Sequence, residues 1–103
     1  MATGSAKPTF IPTNDGSVTN LNGLIIQRWS IAGFAYNTQT TVNFPTAFPT
    51  KCLCVLAYNI QLGFDACQSI SGHVLSKTQC KLYQKNDHSP EVACNIMVIA
   101  IGY

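Results

Sequence analysis

The sequence predicts an all-β chain, a small antiparallel β-sandwich, and three observations predict it. From Leu21 onward, apolar residues fall in short alternating or continuous runs rich in Val, Ile, Thr and aromatics, bounded by Gly, Pro and Asn. No window of helical length repeats its apolar residues every 3.6 positions. The length, 103 residues, suits one domain and is too short for separate cofactor and substrate halves.

Taken in order, residues 1–20 hold Thr, Ser, Asn, Asp, Gly and Pro with few apolar residues, and read as an extended leader, with Phe10 and Ile11 able to dock on a neighbour. Residues 21–103 are the sandwich. The pair Asn22-Gly23 is a hairpin-turn signal ahead of a first strand, Leu24 to Trp29. Thr40 to Phe44 alternates, with Thr40, Val42 and Phe44 on one side and Thr41 and Asn43 on the other. Pro45 and Pro49 bracket a linker outside the strands, because proline cannot donate to a central ladder. In Cys52 to Tyr58 both sides are apolar: Cys52, Cys54, Leu56 and Tyr58 on one, Leu53, Val55 and Ala57 on the other. Gln61 to Ser76, interrupted by Gly63 and Gly72, reads as irregular. Lys77 to Tyr83 resumes alternation with Thr78, Cys80 and Leu82 inward, and Asn86 to Pro90 is a turn. Val92 to Tyr103 closes the chain with ten apolar residues in twelve.

Strands apolar on both faces need cover on both, and a sandwich of this size has outer faces that should be wet. A second copy of the chain is the plausible cover, so the pattern predicts a homo-oligomer. Composition narrows the rest. Six Lys and Arg against four Asp and Glu give +2, far from the basic footprint of a nucleic-acid binder. Only 10% of residues are charged, while Thr, Ser, Asn and Gln supply 31 of them, so the predicted surface is polar but largely uncharged. The apolar runs Cys52 to Tyr58 and Ile96 to Ile101 are too short to span a bilayer. No apolar stretch follows Lys7, so no secretory signal peptide is expected.

The five cysteines, Cys52, Cys54, Cys67, Cys80 and Cys94, are odd in number and cannot all pair within one chain. Cys52 and Cys54, two apart on a strand, share a face and read as core thiols. With His73 and His88 these cysteines could supply zinc ligands, but the chain lacks Cys-x-x-Cys spacing, and no metal or other cofactor is predicted. A Cys–His pair oriented by Asp65 or Asp87 matches no nucleophile motif, one Glu leaves few carboxylates for a glycosidase, and Gly16, Gly23 and Gly33 are isolated rather than a phosphate loop. No catalysis is predicted.

Leu24-Ile25-Ile26-Gln27 leading to Trp29, then Thr41-Val42-Asn43-Phe44-Pro45-Thr46-Ala47-Phe48-Pro49, then Cys52-Leu53 and the ending Ile99-Ala100-Ile101-Gly102-Tyr103, resemble the C-terminal domain of bacteriophage and prophage tail-fibre proteins. The family's Gln-Trp-Gly is here Gln27-Arg28-Trp29-Ser30, with an inserted Arg, and residues 59–90 match no part of the pattern. The resemblance implies a β-sandwich that trimerises at the tip of a fibre, is made in the bacterial host cytoplasm, becomes part of the virion, and recognises a surface polysaccharide such as lipopolysaccharide. Residues 1–20 would then be a shaft remnant.

Sugar recognition needs neutral hydrogen-bonding groups and an exposed aromatic face held on loops by a rigid scaffold. The candidates are Tyr36 and Asn37 in the first connection, Asn59, Gln61, Phe64 and Asp65 after the central strand, His73, and Asn86, Asp87 and His88 in the last turn. Turns favour Asn and Asp whatever their function, so each also reads as a solvated turn residue. Trp29 and Tyr103 are expected to pack in the sandwich or between protomers. The alternative function is a structural cap that trimerises and ends the fibre while another protein binds the host.

Overall fold

Alternation of inward and outward side chains builds eight strands: β1 Thr9–Pro12, β2 Gly16–Leu21, β3 Leu24–Phe34, β4 Gln39–Asn43, β5 Cys52–Asn59, β6 Ser69–Val74, β7 Gln79–Lys85 and β8 Cys94–Gly102. The computed structural model describes residues 8–12, 16–35, 37–60, 69–85 and 94–103, and helix is absent among them. A five-stranded sheet runs β1-β2-β3-β8-β5 and a three-stranded sheet β4-β7-β6. Every pairing is antiparallel. The all-β antiparallel class predicted from the sequence is therefore the class observed.

The strand expected to come first begins β3, the third. β1 and β2 fall in the stretch read as an extended leader, and β2 pairs along its whole length with β3, from Gly16↔Trp29 to Leu21↔Leu24. Their residues carry no continuous apolar face, so backbone pairing rather than core burial places them, and apolar patterning could not reveal them. The predicted Asn22-Gly23 turn is present, with φ of 56° and 101°. Both residues are left-handed, as a two-residue hairpin requires, and the Gly23 N–H donates to Asn20 Oδ1 at 2.7 Å.

Two other expectations change. Cys52 and Cys54 do not share a face, because the β5–β8 register shifts between them, leaving Cys52 buried and Cys54 exposed. A bulge inserts one residue and reverses the alternation beyond it, so Val55 turns inward and Leu56 and Tyr58 turn out. The segment from 61 to 76 contains β6, whose alternation is hidden because one inward position is Gly72. A Cβ there would sit 3.1 Å from the Val55 carbonyl oxygen, and its absence lets β6 lie close on β5.

The core between the sheets is Ile25, Trp29 and Phe34 from β3, Ile96, Val98 and Ala100 from β8, Cys52 and Val55 from β5, Cys80 and Leu82 from β7, and Phe44 and Phe48 from the crossing segment 44–51. That proline-bracketed segment, outside the strands as expected, carries the chain from the small sheet to the large one. Its two rings stack edge-on into the interior, Phe44 against Trp29 at 6.1 Å and against Phe48 at 5.1 Å. Gln27, fully buried on β3, secures it: its Nε2 donates to the Thr46 carbonyl at 2.5 Å and its Oε1 accepts from the Thr46 N–H at 2.9 Å. Gly102 lies against the same segment, where a Cβ would collide with the Lys51 carbonyl and come within 2.7 Å of the Phe48 ring.

Replacing Gln27 by Ala removes two part-buried hydrogen bonds to the Thr46 backbone, at a cost of about 1–3 kcal/mol. Chemical denaturation should show that loss in Gln27→Ala, against a change within about 0.5 kcal/mol for exposed Arg28→Ala beside it. Equal midpoints for the two variants would remove the clamp from the account.

Candidate functional site

Three connections begin and end at one extremity of the sandwich. Phe34 pairs with Cys94, Asn59 with Ile96, Ser69 with Lys85 and Gln39 with Tyr83. Backbone bonds tie these ends together: Asn37 N–H to the Gln84 carbonyl at 2.7 Å and Ile60 N–H to the Asn95 carbonyl at 3.0 Å. The Asn95 side-chain oxygen also accepts from the Gly33 N–H at 3.0 Å. Topology thus brings to one end the described flanks of the three connections whose sequence holds nine of the ten candidates, although they are far apart in the chain.

Among those nine, Asn37 is exposed with a left-handed φ of 52°, a conformation asparagine tolerates, and Asn59 closes β5 half-buried. Tyr36, Gln61, Phe64, Asp65, Asn86, Asp87 and His88 lie outside the described residues. Beneath this end Gln84 is fully buried, and its Oε1 has no hydrogen-bond partner among the described residues. The tenth candidate, His73, stands apart on the exposed face of β6. Trp29 packs in the core as expected, and Tyr103 is exposed on the single chain, outside the sandwich interior.

The two outer sheet faces differ in chemistry. On the large sheet the register aligns Ile26, Ile101 and Cys54, then Arg28, Ile99 and Leu56, then Ser30, Met97 and Tyr58. Seven of those nine are apolar, and Leu56 and Tyr58 are 59% and 50% exposed. This is a contiguous apolar face rather than scattered surface hydrophobes.

On the small sheet the rows read Gln39, Tyr83, Ser71, then Thr41, Lys81, His73, then Asn43 with Gln79, whose amides bond at 2.9 Å. Gln39, Ser71, His73, Lys81, Leu82 and Tyr83 line a depression of about 170 Å³. Sequence reasoning placed Lys81 outward and picked His73, but missed Gln39, Ser71 and Tyr83. Strand alternation could have found Tyr83, while its neighbours required the pairing of β6, the strand concealed by Gly72.

Residues 20–103 match the family described as the gp53-like tail fiber protein, C-terminal domain. The chain belongs to that family. Among curated proteins none matches it. Solved fibres share the fold of this tail-fibre domain. The N-truncated R1-type pyocin tail fiber superposes with a TM-score of 0.71 at 24% identity, over 95% of this chain and 87% of that one. The R1 pyocin fiber of P. aeruginosa does so at 0.73 and 24% identity, over 95% of this chain and 28% of that one. The R2 pyocin fiber of P. aeruginosa gives 0.76 and 18%, over 95% and 26%. The chain spans about a quarter of the length of those two larger fibre chains.

In the fibre domain the buried thiols belong to the core. Burial pushes the Cys80 thiol up from its ordinary 9.0 to about 11, with nearby Cys52 adding to the rise. Burial also raises Cys52, whose Sγ lies 3.6 Å from the Cys54 carbonyl and 3.7 Å from that of Ile101. No cluster of three or more metal-ligating side chains occurs among the described residues. A raised thiol favours folding while it stays protonated, so its contribution is complete below 9.0 and is lost as pH climbs through about 11. The thiolate is the reactive form. At about pH 8, below the usual thiol range, iodoacetamide should leave Cys80 unmodified in the native protein and label it once unfolded. Mass analysis of the tryptic peptide Thr78–Lys81 reads this directly, and rapid native labelling would contradict the burial.

Proposed function

We propose that this chain is the receptor-binding tip of a phage or prophage tail fibre: a non-enzymatic homotrimer that recognises a bacterial surface glycan, such as lipopolysaccharide, during host adsorption. The contrast between an apolar outer face on the large sheet and a polar, uncharged-rich face on the small one carries the reading. The first face suits burial between copies, and the second suits an aqueous ligand. In this reading residues 21–103 are the tip domain and 1–20 lead out of the shaft. The protein is made in the host cytoplasm and ends up in the virion. The grouping of the described ends of the three connections, with Asn37 and Asn59 among them, supports a receptor contact at this end. Copies held side by side turn weak single contacts into firm adsorption.

Light scattering should give three times the 11.1 kDa protomer mass. Leu56→Asp, which puts a charge in the middle row of the apolar face, should shift the protein towards monomer; a wild type that stays a soluble monomer would refute the assembly. Asn86→Ala combined with Asp87→Ala should weaken whole-cell adsorption with the oligomer intact. Unchanged adsorption in that variant, and in Phe64→Ala, would instead favour a structural cap.

A further inference from the structure

We infer that the depression on the outer face of the β4-β7-β6 sheet is a second ligand site, one that takes a single saccharide unit carrying a carboxylate or a phosphate. The choice of a saccharide rests on the glycan-binding reading above; the charge, the size and the position come from the structure.

The depression is built on strands rather than loops. Gln39, Tyr83 and Ser71 are paired across three strands in one row, and Lys81 and His73 in the next, so their backbone spacing is set before any ligand arrives. Its floor is the central strand β7, whose alternate residues Cys80, Leu82 and Gln84 are fully buried in the core. Gly72, between Ser71 and His73, lets β6 lie close on Val55, whose carbonyl oxygen a Cβ would approach to 3.1 Å.

The side chains divide the work of holding a charged sugar. The half-buried Tyr83 offers an aromatic surface for the apolar side of a pyranose ring. Gln39 and Ser71 offer neutral hydrogen-bonding groups, the Lys81 ammonium offers a positive charge, and His73 offers a ring N–H. No Asp or Glu side chain falls among the described residues, so within them Lys81 has no carboxylate side chain to neutralise it. At about 170 Å³ the space is below the roughly 300–1,000 Å³ typical of drug-sized pockets, which suits one sugar unit and not an oligosaccharide. The face is polar, so it does not compete with the apolar face for self-association.

The test is an NMR titration of the full chain with galacturonate, glucose 6-phosphate, galactose and inorganic phosphate, following backbone amides. Either charged sugar should shift Ser71, His73, Lys81 and Tyr83 and bind more tightly than galactose. Response to galacturonate alone identifies a carboxylate ligand, and response to glucose 6-phosphate alone a phosphate ligand. Lys81→Gln should weaken the charged sugar about 3- to 5-fold, the scale of one exposed ion pair, and leave galactose unchanged. Tyr83→Ala should weaken all sugars, and Tyr83→Phe, which keeps the ring, should not. Inorganic phosphate binding as tightly as glucose 6-phosphate, equal affinity for galactose, no shifts at these amides, or an unaffected Lys81→Gln each overturns the inference. Adsorption separates the two proposals. A wild type that binds charged sugar here but adsorbs to no bacterial surface refutes the receptor reading alone. A wild type that adsorbs to cells but shows no shifts here refutes this site alone.

Discussion

The amide of Gln27 holds the crossing segment to the large sheet, and the rest of the sandwich depends on that connection. Residues 44–51 have left one sheet and not yet joined the other; Phe44 and Phe48 donate to the Thr78 and Lys77 carbonyls and Thr50 and Lys51 to that of Tyr103, which leaves the Thr46 backbone between them to be met by a side chain. Gln27 supplies both halves of a peptide-like pairing to Thr46 from inside the core. With that segment in place, Phe44 and Phe48 reach Trp29, and β5 starts against Gly102 at the end of β8. Alternation turns Gln27 and Trp29 inward and leaves Arg28 between them exposed.

From this geometry follow two faces with opposite chemistry. The large sheet turns isoleucines, Met97, Leu56 and Tyr58 outward because β5 and β8 are apolar on both sides, and the bulge after Cys52 decides which β5 residues those are. The small sheet turns amides, hydroxyls, Lys81, His73 and Tyr83 outward. Low charge in the whole chain therefore divides between two surfaces: one mostly apolar, and another that presents neutral hydrogen-bonding groups.

Where apolar alternation was clean, the sequence was a sufficient guide: β4, β8 and the proline-bracketed linker stand where the pattern puts them, and β7 does from Gln79 onward, whereas Thr78, expected inward, lies exposed ahead of it. It failed where backbone geometry, not side-chain chemistry, decides. A bulge cannot be seen in the letters Cys52-Leu53-Cys54, Gly72 erases one inward position of β6, and β1 and β2 are held by hydrogen bonds their composition does not announce. The candidate site was partly legible for the same reason. Turn chemistry picked residues whose connections share one end, whereas the depression around Tyr83 joins β4, β6 and β7, and only the register reveals that.

Hydroxyl-radical footprinting of the assembled fibre tip tests the central claim, that one outer face is buried between copies and the other faces solvent. The account predicts that Met97 and Tyr58, on the large sheet, are protected relative to a dissociated Leu56→Asp variant, while Tyr83 and His73, on the small sheet, oxidise equally in both. Protection of Tyr83 and His73 with oxidation of Met97 and Tyr58 in the assembly would reverse the assignment of the faces and contradict it.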